Sequence, residues 1–391
     1  MSRTIKNKIT FENTFPQEWK RKTLCEIGKF SKGSGISGSQ LRDAGVPCVG
    51  YGDLYMKYDT KFCEPKSFID ESAAKDSKEI SKGALLFTAT GETAEEIGKC
   101  VCYYGDEKIY AGGDIFILQV NDLNPLFVAY QQNIFPFIKQ KARLGQGHSV
   151  VHLRLEDVKK LSVIYPSDIK EQEKIAEILM KWDEAIELQE SLIEKLESQK
   201  KGLLRKLLKP QDDWKPNRLQ DMVKKLKAKA VKIHDNGKFP IIDMEYVANR
   251  KFVNFTNDKG VFICENDVLL LWDGAGAGTP VLGAEGMLCS TFVNLILSPA
   301  INAGFLYYFL CNIQERNNKI REGSGVPHMP KDFLKIQKIF LPNIDMQIHI
   351  YNSLSCLDSS IILHFQKLTL LKNQRKALMQ KLLTGIVRVK V

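Results

Sequence analysis

Residues 166–208 read PSDIKEQEKIAEILMKWDEAIELQESLIEKLESQKKGLLRKLL, and this stretch decides the fold. Its apolar residues fall at Ile175, Leu179, Trp182, Ile186, Ile193, Leu196, Leu203 and Leu207, with Gln189 and Lys200 at the two skipped positions. The steps alternate four and three, a heptad seam sustained over more than four repeats, which predicts a long coiled-coil helix. The seam spans roughly 50 Å at ~1.5 Å per residue, more than a small domain needs internally. The pattern returns after Pro342 at Ile350, Leu354, Leu357, Ile361, Leu368, Leu371, Leu378 and Leu382, each displaced by 175 residues from its counterpart. His364 and Arg375 stand where Gln189 and Lys200 stood. One helix has been copied, and the copy extends backwards into what each helix follows.

Trp19 precedes Leu24 as Trp214 precedes Leu219, and VPCVGYGDL (Val46 to Leu54), read as a turn followed by a strand, parallels FPIIDMEYV (Phe239 to Val247). KGALLFTATG (Lys82 to Gly91) parallels ENDVLLLWDG (Glu265 to Gly274), and a short amphipathic helix in NPLFVAYQQ (Asn124 to Gln132) matches AGFLYYFLC (Ala303 to Cys311). His152 and His328 each sit fourteen residues before the proline that opens a helix. Between them, β-branched and aromatic runs (ALLFTAT, KCVCYYG, DIFILQV, LSVIY; then VFICE, VLLLW, VNLILS) alternate with glycine-containing turns and predict strands. The fold expected is α+β: two β-rich domains, 1–165 and 210–341, each followed by a long helix, 166–209 and 342–391. Pro210 ends the first helix and Gly385 the second.

The 391 residues are too many for one ordinary domain. No apolar run is long enough to span a membrane, and the basic N-terminus lacks the apolar core of a signal peptide, so a cytoplasmic protein is expected. Nine cysteines without a CxxC argue for reduced thiols rather than zinc or a disulfide framework. The net charge of +10 is spread thinly. Residues 1–165 carry 23 basic and 20 acidic side chains, 166–209 carry 9 and 10, 210–341 carry 17 and 14, and 342–391 carry 7 and 2. Such domains permit nucleic-acid binding without demanding it.

The order Trp…Leu, Gly-x-Leu-Leu, Pro-x5-Gln-x2-Ile-x3-Leu, with helices closing KKGLLRKLL and RKALMQKLLTG, resembles the specificity subunit of type I restriction-modification systems over essentially the whole chain. The resemblance implies two target-recognition domains joined by two helices packed antiparallel, each domain reading one half of a split, asymmetric site in double-stranded DNA. It implies no catalytic centre and no cofactor in this chain. Two methyltransferase subunits would bring S-adenosylmethionine, and restriction subunits would bring ATP and Mg. One departure stands out: the Glu171-Gln172-x-x-Ile175 opening of the first helix becomes Met346-Gln347-x-x-Ile350 in the second.

Candidate DNA contacts fall in three places. The loop GSGISG (Gly33 to Gly38) matches a dinucleotide fingerprint letter by letter but lies outside any βαβ unit. As a loop it offers Lys29, Ser31, Lys32, Ser34, Ser37, Ser39, Gln40 and Arg42 to phosphates and bases. The glycine pairs Gly91/Gly98 and Gly274/Gly278 read as strand-end turns, because a cofactor cradle would not exchange its interior for three acids. Thr88, Thr90, Asp273 and Thr279 beside them are candidate base readers. The loops GQGHS and EGSGVPH add Gln146, His148, Ser324 and His328. Asn124-Pro-Leu-Phe127 resembles the catalytic motif of adenine methyltransferases but lacks its second proline and any cofactor motif, so Asn124 is read as a helix N-cap. A fused methyltransferase or nuclease of the type IIG or IIB kind would need those missing motifs. A non-specific coiled-coil adaptor would not need two diverged β-rich domains.

Overall fold

The computed structural model describes residues 15–147, 150–249, 251–319 and 327–391. These form two compact units: one from the residues up to Leu188 together with Leu368–Val391, the other from Gln189–Lys367. Each unit thus takes in one β-rich domain and part of both long helices, Ile169–Leu207 and Ile344–Leu383.

In the first unit a five-stranded sheet runs in the order Gly28–Lys32, Ile115–Val120, Ala84–Thr88, Cys100–Tyr103, Lys61–Phe62. Both faces are covered. Leu85, Phe87, Phe116 and Leu118 join one core with the helix Pro125–Gln132 and the ends of the two long helices. Leu86, Val101, Ile115 and Ile117 join a second core with Val49, Leu54 and Ile109. Burial on both faces is why these strands read as unbroken apolar runs rather than alternating ones. The second unit repeats the plan with the order Val223–Lys227, Phe292–Leu297, Val268–Leu271, Pro280–Val281, again between two cores. All seven runs singled out in the sequence contain strands.

The copies agree in detail. Lys20–Thr23 pairs antiparallel with Ser162–Tyr165, and Lys215–Arg218 with Lys338–Leu341. The Trp19 and Phe127 rings meet edge-on at 6.2 Å, as do Trp214 and Phe305. Gln172 donates to Pro166 O and accepts from Asn124 N, as Gln347 does with Pro342 O and Asn302 N. Asn124 and Asn302 cap their helices by accepting from Phe127 N and Phe305 N, which settles the methyltransferase-like motif as a cap.

Two local readings are corrected. In VPCVGYGDL and FPIIDMEYV the strand comes first, Val46–Val49 and Phe239–Ile242, and a short helix follows, Tyr51–Met56 and Met244–Asn249. The helix at Ala303 runs to Lys319, twice the length of its counterpart. The first copy is interrupted where Pro136 opens a new helix, Phe135–Leu144, and Asn133 turns its side chain onto Cys100 N and O.

All sixteen seam residues are buried or half-buried. In the first unit Ile175 and Leu179 share a core with Leu382 and Leu383; in the second Leu204 and Leu208 share one with Ile350 and Leu354. Early residues of one helix meet late residues of the other, so within each unit the helices pack antiparallel. The polar interruptions form matched nodes. The Tyr130 hydroxyl donates to Asp183 at 2.5 Å, and Arg375 Nε lies 2.7 Å from the other Asp183 oxygen. In the second unit Tyr308 donates to Asp358 at 2.7 Å, and Lys200 Nζ lies 2.5 Å from it. Each cation also sits 5.9 Å from the centre of its tyrosine ring. Gln189 Nε2 lies 2.8 Å from His364 Nδ1, so these two repeat-related residues meet each other.

The two nodes differ in burial. The Arg375 and Asp183 side chains are 14% and 9% exposed, those of Lys200 and Asp358 27% and 25%. Burial raises the Asp183 pKa while Arg375 opposes it. Removing the cation from the drier node strands a desolvated carboxylate, which costs ~3–5 kcal/mol. Arg375→Met should therefore lower unfolding stability by about that much in denaturant titrations, and Lys200→Met by clearly less. Equal losses would refute the difference in desolvation.

Candidate nucleic-acid interface

In the first unit the strand Ala84–Thr88 runs out into the turn from Thr90 to Gly98. Thr90 and Gly91 pair antiparallel with His152 and Val151, and Gln146 exchanges both backbone hydrogen bonds with His152, at 3.0 and 2.8 Å. Thr90 and Gln146, from separate stretches of sequence, therefore share one small sheet. The Gln146 side chain is exposed and accepts from Arg154 at 3.0 Å. Beneath them, the Tyr55 hydroxyl contacts Thr88 Oγ1 at 2.6 Å and donates to Thr90 O at 2.8 Å. Thr88 is a correction: it is fully buried with its hydroxyl engaged, so it supports the turn and cannot reach a base.

The far end of the turn is pinned by Lys141, whose Nζ donates to Gly98 O at 2.6 Å. Gly98 has φ 68, and a Cβ there would meet Leu153 Cδ1 at 2.7 Å, so only glycine closes this turn.

The second unit repeats the backbone arrangement with other side chains. Asp273 bridges His328, Met329 N donates to Trp272 O at 2.9 Å, and Gly274 N donates to Pro327 O at 2.8 Å. Lys227 Nζ lies 3.5 Å from Asp273 Oδ2, and Gln314 donates to Thr279 Oγ1 at 2.9 Å. Register makes the equivalence explicit. Phe116 lies between Lys32 and Phe87, as Val293 lies between Lys227 and Leu270, so Thr90 corresponds to Asp273. His148 and Ser324 lie outside the described residues.

The segment from Lys29 to Arg42 divides in two. Lys29, Ser31 and Lys32 lie on the edge strand Gly28–Lys32, both lysines exposed, and Lys32 ends at the same end of the sheet as Thr88. Beyond it the polar groups serve the loop. Ser34 donates to Asp76 O, Ser37 and Gln40 form a capping box, and Ser39 Oγ contacts Ser37 Oγ. Arg42 donates to Ser39 O and Leu41 O and lies 3.9 Å from Asp70. Tyr55, Lys141, Arg154, Lys227 and Gln314 went unnominated in the sequence. They come from distant elements, and only Lys227, in the run KKLK, carried a visible signal.

Two copies of one β-rich domain, each presenting the same turn-and-loop pairing with different side chains, define a duplicated recognition protein. The family model for the type I restriction modification DNA specificity domain matches twice, over residues 16–198 and 211–373, and the chain belongs to that family. It is 34% identical over 185 residues to the type I restriction enzyme MjaVIII specificity subunit of Methanocaldococcus jannaschii, an alignment spanning 45% of this chain and only 43% of that relative. The putative MjaX specificity subunit of the same organism is 25% identical over 419 residues, covering 96% of this chain and 95% of that one. The solved S subunit of a type I system from M. genitalium shares the fold, with a TM-score of 0.62 at 18% identity, over 95% of this chain and 96% of that one. A structure from work on complex assembly and conformational transition of the type I R-M system matches with a TM-score of 0.59 at 14% identity, over 95% and 99%.

Lys141 gives the first turn a testable pH signature. Burial lowers its pKa to about 8, below the usual lysine range. The unfolded chain then binds this proton more tightly, so the Lys141 contribution to stability rises with pH between about 8 and ~10.4. Lys141→Met should be most favourable relative to wild type at or below pH 8 and lose ~3 kcal/mol of that advantage by pH 10.4. A pH-independent difference in denaturant titrations would contradict a buried, shifted lysine.

Proposed function

We propose that this chain is the subunit through which a type I restriction-modification complex reads a bipartite, asymmetric site in double-stranded DNA. The first unit reads one half with Thr90, Gln146 and the loop about them. The second reads the other half with Asp273, Thr279 and His328. The observation that carries this reading is the same backbone pairing in both units, dressed with different donors and acceptors. Phosphate contacts fix register on a duplex, whereas base identity is read at groove edges by side chains of this kind. A glutamine can pair bidentately with adenine, and an aspartate accepts from the cytosine amino group.

On this reading the chain has no catalytic centre and holds no cofactor. Two methyltransferase subunits supply S-adenosylmethionine chemistry, and restriction subunits supply ATP- and Mg-dependent cleavage, in the cytoplasm. Among the described residues no helix is long and apolar enough to cross a membrane.

The test is methylation mapping in cells carrying single substitutions. Asp273→Asn should change base preference in one half of the methylated motif and leave the other intact; Gln146→Leu should do the reverse. A change in both halves from either substitution would defeat independent reading, and methyl transfer by the purified chain alone would defeat a non-catalytic role.

A further inference from the structure

The strand Val223–Lys227 is, among the described residues, an edge strand of the second unit's four-stranded sheet. From Lys224 to Lys232 the sequence reads KKLKAKAVK, with five lysines and no acid. Lys224, Lys225, Lys227 and Lys229 are all exposed. The neighbouring strand, Phe292–Leu297, reads FVNLIL and adds no acid to neutralise them. Lys225 and Lys227 stand two residues apart and so share a face. Their contacts agree: Lys225 Nζ lies 3.9 Å from the centre of the Trp272 ring, and Lys227 reaches Asp273, the next residue. The row of charge therefore runs along the sheet edge and ends at the turn that carries the candidate readers.

We propose that this lysine row is the phosphate-binding track of the second unit, guiding one strand of duplex DNA to the Asp273–His328 turn. The proposal rests on the DNA-reading role given above. Same-face positions on a strand repeat every ~6.8 Å, so Lys225 and Lys227 are spaced to meet separate phosphates of one DNA strand. Lysines on an edge strand can also serve to block edge-to-edge aggregation. That role leaves Lys229 and Lys232 unexplained, since they lie past the end of the strand, and it does not require Lys225 and Lys227 to lean toward the turn. The first unit offers a parallel. Its edge strand, Gly28–Lys32, places Lys32 opposite Phe116 as Lys227 lies opposite Val293. Lys227, paired with Asp273, also offsets the repulsion a bare carboxylate would feel near phosphate.

The experiment is a salt titration of duplex binding by the full chain co-purified with its methyltransferase partners, using a duplex that carries the motif mapped by methylation. Log affinity against log salt concentration should fall less steeply for the triple variant Lys225→Gln, Lys229→Gln, Lys232→Gln. The slope should drop by about 0.9 for each phosphate that is no longer neutralised, roughly 2 to 3 in all, with the methylated motif unchanged. The corresponding triple arginine variant should keep the wild-type slope. An unchanged slope in the glutamine variant overturns the proposal, including when that variant merely aggregates more. A changed motif, or an arginine variant as shallow as the glutamine one, also overturns it. If the wild-type complex shows no salt-dependent duplex binding, the DNA-reading role itself fails.

Discussion

Two aspartates, one buried and one half-buried, hold this architecture in register. Asp183 and Asp358, 175 residues apart, each project from one long helix toward a cation on the other, Arg375 and Lys200. Each also accepts a hydrogen bond from a tyrosine of the β-rich domain, Tyr130 or Tyr308. A carboxylate withdrawn from water is tolerated only when it is paired, so a slip of one helical turn would strand both aspartates. Apolar seams supply most of the burial but would accept several registers, because leucine packs on leucine at every heptad. The polar nodes choose one register, and through their tyrosines they fix each domain to the helices it rides on.

Below that level the two copies share backbone and differ in side chains. The turn at the sheet end meets the loop before the final strand in both units, yet Thr90 in one is Asp273 in the other. A duplicated scaffold with diverged tips is what reading two unlike half-sites requires. The helix openings diverge for a different reason. Glu171 is buried and ion-paired to Arg388 of the C-terminal tail, at 2.6 Å through Nε, and the same arginine also pairs with Glu18. Gly385, at φ 72, turns the chain out of the second helix so that this tail can fold back. Met346, at the equivalent place in the second copy, is exposed. The glutamate therefore belongs to an internal clamp, and its replacement by methionine does not by itself remove a site for a partner.

The sequence showed the repeat, the helices and the strands because these rest on period and spacing, which survive duplication. Even the interruptions at Lys200 and Arg375 were visible, although their partners were not: an aspartate at the right helical offset looks like any solvated charge until the facing helix is in place. Thr88 and Thr90 were indistinguishable in TATG: Thr88 ends the central strand and is buried with its hydroxyl on Tyr55, whereas Thr90 opens the next short strand and is left partly open. The internal repeat did not mark the basic edge strand, because its counterpart, GKFSK, keeps only two of the three lysines of VKKLK.

The pairing of the helices is tested most directly by reversing one charge pair. Lys200→Asp and Asp358→Lys should each destabilise the protein, and the double variant should recover a coupling energy of about 1–3 kcal/mol in denaturant titrations. Additive losses, with no recovery in the double variant, would contradict the antiparallel register on which the whole account stands.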